Sequence, residues 1–208
     1  MILYVYLSFF VSYSISSVLC YIEDINNTKK KIQGYNYEEI VKKYKYCMPL
    51  ILLNTFVSMP IILCITQPFF GLLRPFEYYH ILHLPVSIFM IDFTFYGFHY
   101  LFHSKYLYRF HKVHHRIKNP IGISSIYLHP IDLFFGNILP LFMPVFLMRS
   151  SFEILYIWTI FTVCNTTYYG HSGVEGRAED HDLHHKEFRC NYGSGMYLSD
   201  KILGTYKK

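Results

Sequence analysis

Histidine is the residue whose number and spacing stand out for chemistry. The 208-residue chain has twelve, and ten of them lie between His99 and His185. His99 and His103 stand at i, i+4 in HYLFH, and His111, His114 and His115 form HKVHH. His181, His184 and His185 repeat that HxxHH spacing in HDLHH. Residues three and four apart share one face of a helix, so each cluster can aim several imidazoles at one point. Eight imidazoles exceed the roughly three or four protein ligands of a single tetrahedral zinc. Two ions taking four or five each would use about eight to ten, and His171 in YGHSG and His129 in YLHP are the natural additions. Imidazole suits iron, zinc, copper and nickel alike, so ligand type leaves the metal open. No His-Glu-x-x-His occurs, which argues against a peptidase built on zinc and a glutamate base.

The elements that must position these residues are apolar. Hydrophobic residues make up 52% of the chain and charged ones 16%, a balance that points to a membrane protein and away from disorder or nucleic-acid binding. The length suits one domain. Five stretches can enter a bilayer: 1–22, 48–70, 79–98, 131–148 and 152–170. The first lacks the basic start and cleavage site of a signal peptide and reads as an anchor that stays. Pro140 and Pro144 predict a kinked or incomplete fourth stretch, which forms a hairpin with the fifth. The expected fold is all-α and polytopic, with four to five transmembrane or membrane-embedded helices under a cytosolic histidine-rich di-metal cap. Residues 1–78 form the membrane anchor region with a polar loop at 23–47, and 79–208 the catalytic domain.

Charge sets the orientation. On the five-stretch path, loop 23–47, loop 99–130 and the tail 171–208 share one side and carry 17 of the 19 Lys and Arg residues. Only Arg74 and Arg149 lie opposite, so the three segments are expected in the cytosol. The histidine clusters fall on that same side. The five scattered cysteines, Cys190 included, show no disulfide or CxxC framework.

HYLFH (99–103), HKVHH (111–115), LHP (128–130), HSG (171–173), HDLHHKEFRCNYG (181–193) and DKILGTY (200–206) together resemble the fatty acid hydroxylase/sterol desaturase superfamily of membrane di-iron oxygenases. The resemblance covers about residue 79 to the end. HSG and HDLHH are most similar to sterol 4-methyl oxidases and cholesterol 25-hydroxylases, HPID and NYG to sterol C5-desaturases. It implies two iron ions held by His99, His103, His111, His114, His115, His181, His184 and His185, with His129 and His171 as further ligands. It also implies oxygen-dependent hydroxylation of a membrane lipid, a sterol or fatty acyl chain, in the endoplasmic reticulum. Electrons would come from NAD(P)H through cytochrome b5 or a reductase. Ser199 precedes Asp200 where the family has Trp, and the His171–His181 interval is shorter than in the sterol 4-methyl oxidases. Both departures bear on the substrate more than on the metal.

Desaturation on the same site, or a metal-dependent membrane hydrolase or lyase, are the competing readings. No HPGG or GxGxxG segment is present, so the electron donor is expected to be a separate protein. Lys105, Arg109, Lys112, Arg116 and Lys118 offer it a basic surface. Asp92 should face the bundle interior, as a structural hydrogen bond or a contact to the site. Asp180 and Asp182 are candidates to orient imidazoles. His80 and His83 are expected at the far membrane interface, away from the metal.

Overall fold

The computed structural model describes all 208 residues and is 72% helical, with no strand. Three helices are long and apolar enough to cross a membrane: α1 (Ile2–Asn26), α2 (Tyr37–Leu72) and α3 (Tyr78–Phe102). The shorter apolar α4 (Asp132–Leu147) follows. The next helix, α5, spans 152–170 and runs from an α-helix (Phe152–Cys164) into a π-helix (Asn165–Gly170). Two short helices, α6 (Glu179–Glu187) and α7 (Leu198–Leu203), belong to the cap.

Local chemistry explains where the helices start and bend. The Asn36 side chain accepts from the Glu39 amide at 3.0 Å and opens α2, and Ser151 does the same for Ile154 at the start of α5. Pro144 has no N–H to give the carbonyl of Pro140 four residues back, and the Thr94 hydroxyl of α3 supplies the missing donor at 2.9 Å. The predicted kink is thus absorbed by a neighbouring helix. Packing follows the hydropathy: α1 lies on α5, and α3 on α4. The core joins Phe9 and Tyr13 of α1, Tyr44 and Leu63 of α2, Phe95 of α3, and Trp158 of α5.

The two ends of the bundle differ. At one end the turn before α3 meets the turn before α5: the Arg74 amide donates to the Ser150 carbonyl at 2.9 Å, and His83 Nδ1 lies 2.9 Å from Ser150 Oγ. His80 is there too, away from the histidine clusters and fully buried, with Nδ1 accepting from the Glu77 amide. At the other end loop 27–36 is stitched to the HSG segment. The Ile32 amide donates to the Gly173 carbonyl and the Glu175 amide to the Lys30 carbonyl, both at 3.0 Å. Gly173 must be glycine: its φ is +62°, and a Cβ would press on the Pro120 carbonyl. Lys31 reaches through this seam to form a buried ion pair with Asp24 and donates to the Ser172 carbonyl at 2.6 Å. Tyr44 OH donates to the same carboxylate at 2.8 Å. The three basic segments read from the sequence therefore gather at the histidine end.

Asp92 settles on the structural alternative. It is fully buried and accepts the Leu198 and Ser199 amides at 3.0 and 2.7 Å, so a membrane helix caps the last helix of the cap.

Removing one partner of a buried ion pair leaves the other charge unpaired, at a cost of about 3–5 kcal/mol. Lys31→Met should lower the thermal midpoint of the detergent-solubilised protein accordingly, and adding Asp24→Leu should recover much of the loss. A double variant no more stable than the single would show that the pair does not carry the seam.

Candidate metal centre

Nine histidines converge at the inner end of the cap in two groups. His99, His103, His111, His115 and His184 form one; His114, His171, His181 and His185 form the other. Each HxxHH motif is divided between them. In α6 the first and last histidines stay together because four residues of helix return about 40° from the starting direction, and the middle one points about 100° away from the last and joins the other group. The turns at 108–116 divide His111, His114 and His115 in the same way. His99 and His103 come from the last turns of α3, His171 from the end of the α5 π-turn, and the rest from the turns at 108–116 and from α6.

The outward nitrogens set the inward ones. Nδ1 lies 2.8 Å from the Tyr192 carbonyl oxygen in His99, 2.7 Å from that of Cys190 in His184, 2.9 Å from that of Ile117 in His185 and 2.7 Å from that of Thr166 in His171. A carbonyl only accepts, so each Nδ1 carries the proton and each Nε2 of the neutral ring is a lone pair. His111 Nδ1 likewise donates to the Asp132 carboxylate at 2.8 Å. Burial, reinforced by like charge from neighbouring rings, favours the neutral form of His184 and His103 and pushes them down to about 3 and about 2. Burial likewise pushes His171 to about 4.

The Nε2 atoms then face one another. In the first group His99–His111 and His111–His115 are 3.0 Å apart, His115–His184 3.1 Å, and His103 is 3.2 Å from both His115 and His184. In the second, His171 is 3.0 Å from His181 and 3.2 Å from His114, and His181–His185 is 3.1 Å. Where both Nδ1 atoms carry the proton, as in His99 and His111, the facing Nε2 lone pairs repel unless a cation lies between them. An ion about 2.1 Å from each nitrogen would set neighbouring ligands about 3.0 Å apart at right angles. Both donor sets therefore fit a metal ion.

Other expected residues lie elsewhere. His129 joins neither group; its Nδ1 accepts from the Ile131 amide at 3.2 Å and its ring packs on Phe110. It opens α4 and so carries Asp132 into place. Asp180 bonds Tyr206 and Asp182 bonds Gln33, and neither touches a histidine. Cys190 takes part through its backbone carbonyl alone. Asp132, which the sequence pattern did not single out, is the carboxylate that holds a histidine. It was findable as the only acidic residue between Asp92 and Glu153. Asp200 acts one step further out, accepting the Tyr192 and Gly193 amides at 2.8 and 2.6 Å and so placing the carbonyl that holds His99. Lys105, Arg109, Lys112, Arg116 and Lys118 are all exposed on the cap.

Beneath the histidines lies a cavity of about 480 Å³. His99, His111, His114, His171 and His181 line its upper end, and apolar residues of all five bundle helices line the rest, as far as Phe69, Phe70 and Leu72.

Residues 84–205 match the fatty acid hydroxylase family. The chain is 29% identical to a Delta(7)-sterol 5(6)-desaturase of Aspergillus fumigatus, over 95% of this chain and 59% of that protein. It is 28% identical to a C-4 methylsterol oxidase of Schizosaccharomyces pombe, over 84% and 66% of the two. It is 30% identical to a very-long-chain aldehyde decarbonylase of Oryza sativa, over 76% and 66%. The chain spans about half to two thirds of the length of the curated relatives it matches. No solved structure matches it.

If Asp132 fixes His111 toward a metal, Asp132→Ala should weaken metal retention by about 10–100-fold, and Asp132→Asn, which keeps an acceptor, should be milder. Metal per chain, measured by mass spectrometry after dialysis against graded chelator, reads both, with His80→Ala as the control that keeps its metal. Undiminished retention in Asp132→Ala would remove that role.

Proposed function

The chain belongs to the fatty acid hydroxylase family, and from that premise we propose that its nine gathered histidines hold two iron ions that serve oxygen-dependent hydroxylation of a membrane lipid. The observation that carries this reading is the convergence of imidazole Nε2 atoms at 3.0–3.2 Å in two adjoining groups at the end of a largely apolar cavity. An unactivated C–H bond is not acidic, so side-chain acid–base chemistry cannot open it, and bound iron would supply the oxidising power.

The chain's own residues supply the rest. The helices wall a cavity that takes an apolar chain or ring system out of the bilayer and keeps water from it. Asp132 and the carbonyls of Tyr192, Cys190, Ile117 and Thr166 hold the ligand rings in one tautomer. The exposed Lys105, Arg109, Lys112, Arg116 and Lys118 offer an acidic electron-donor protein, cytochrome b5 or a reductase drawing on NAD(P)H, a complementary face. With 17 of 19 basic residues in the segments at the histidine end, that end faces the cytosol, and the membrane is that of the endoplasmic reticulum. Desaturation is the second reading, supported by the desaturase similarity over 95% of the chain.

Protein taken from cells should hold close to two irons per chain by metal analysis, with a Mössbauer signal for both. Imidazole sites also accept zinc, so iron-reconstituted protein is the fair sample. His114→Ala and His184→Ala should each lower metal content and abolish activity. Lipid profiles of cells with and without the protein should reveal a species heavier by one oxygen, or one lighter by two hydrogens if desaturation is the reaction. Lipid oxidation by iron-free protein, or full metal in both variants, would end the reading.

Tags in loop 23–47, in 104–118 and at residue 208 should all report the cytosol. A protease-protected tag at any of these sites would overturn the orientation.

A further inference from the structure

The cavity wall contains polar side chains that the metal groups do not use. Most are satisfied in place. Thr66, Thr159, Thr162 and Thr166 each donate a hydroxyl to a carbonyl of their own helix, and Thr167 is bonded to Ser125. Two carboxamides differ. Asn137 donates one N–H to the Asp132 carbonyl at 3.3 Å, which leaves its oxygen and its second N–H open. Asn165 has no side-chain partner at all, although the hydroxyl and carbonyl of its neighbour Thr166 are both engaged. Both asparagines line the cavity. An amide that faces hydrocarbon without a partner costs free energy, so these two groups call for a polar function on whatever fills the space.

Their height along the bundle says where that function lies. Asn165 adjoins Thr166, whose carbonyl holds His171. Asn137 lies five residues beyond Asp132, whose carboxylate holds His111, which is roughly 7 Å along a helix. Asn165 thus sits beside, and Asn137 about one and a half turns from, a residue that anchors a ligand histidine, and both line the cavity, one from α5 and one from α4.

We infer that Asn165 and Asn137 form a polar subsite that binds a hydroxyl group of the lipid close to the carbon that is oxidised. This rests on the lipid-oxidation reading and narrows it. A hydroxyl both donates and accepts, and a carboxamide offers both partners. A carboxylate head would need a cation, and Arg177, the single Arg or Lys on the cavity wall, is already bound to Glu23. A plain methylene run would leave both amides facing hydrocarbon. The ligand is therefore an alcohol-bearing lipid with its hydroxyl near the histidine end and its apolar remainder toward Phe69, Phe70 and Leu72.

Binding to the purified, metal-loaded full chain tests this with two pairs of tritiated probes: cholesterol against 5-cholestene, and octadecanol against octadecane. The alcohol of at least one pair should bind about tenfold more tightly than its hydrocarbon, a difference of about 1.4 kcal/mol. Asn165→Leu and Asn137→Leu should each bring the ratio toward one without weakening the hydrocarbon, and the double variant should erase the preference. Asn165→Ser should retain part of it. Unchanged metal content in the variants separates a lost hydrogen bond from a lost fold. No preference in the wild type, no binding of either alcohol, or a preference that survives in the double variant would overturn the subsite. Wild-type protein that fails in this way yet holds iron and changes cell lipids keeps the lipid-oxidation reading; one that does neither loses both.

Discussion

Imidazole nitrogens brought within 3.0–3.2 Å of one another in two groups are a crowded arrangement that a cation in the space between them would relieve. Without an ion, only the surrounding fold can hold them so close, and the structure around the histidines answers that demand. Each ring that is fixed is fixed from behind, through Nδ1, by an acceptor that cannot itself move far. Four of those acceptors are backbone carbonyls and one is a buried carboxylate. The carbonyls are in turn placed by other groups. Asp200 holds the amide of Tyr192, Asp92 caps the helix that carries Asp200, and so a residue in the membrane part of α3 helps to aim a ring at the end of the same helix. Polar groups buried in this way cost free energy unless fully paired, and here the pairing is spent on orientation.

The membrane helices pay attention to the cap through a shared local device. Three of them switch to π-helix over a short run: Asn54–Ser58 in α2, Asp132–Ile138 in α4 and Asn165–Gly170 in α5. Such turns interrupt the ordinary i to i+4 ladder and recur at functional sites. Asn54 donates to the Ile126 and Leu128 carbonyls at 2.9 and 2.8 Å and tethers the loop that leads to His129. Asp132 holds His111, and the Thr166 carbonyl holds His171. Each π-turn therefore presents a polar atom inward, to the cap or to the loop that leads to it.

What was legible in the sequence follows from the range of the forces involved. Hydropathy is summed over twenty residues, so the long apolar helices and the common end of the basic loops were readable. The HxxHH spacing is local, so convergence of the imidazoles was readable too. Which ring joins which group was not, because it depends on how α6 is rotated against the turn at 108–116. Backbone acceptors such as the Cys190 carbonyl leave no mark in the residue type, and Cys190 drew notice for its thiol instead. His129 resembles a ligand by its motif, but at the first turn of α4 its Nδ1 accepts from the Ile131 amide, while the Asp132 carboxylate three residues on, which no motif marks, faces the cluster.

The division of each HxxHH motif between two groups has a consequence for the centre as a whole. Because His111 and His115 serve one group while His114 serves the other, and His181 and His185 serve the second while His184 serves the first, two short helical segments each bridge both positions. Neither group can shift relative to the other without unwinding α6, a helix that carries ligands for both. The spacing between the two positions is therefore set by the pitch of that helix, and the turns at 108–116 tie the same two positions a second time. His99 and His103 add a third tie, from a membrane helix whose other face lines the cavity through Phe95. An apolar group seated against Phe95 would thus be held at a distance from the histidines that the same helix determines.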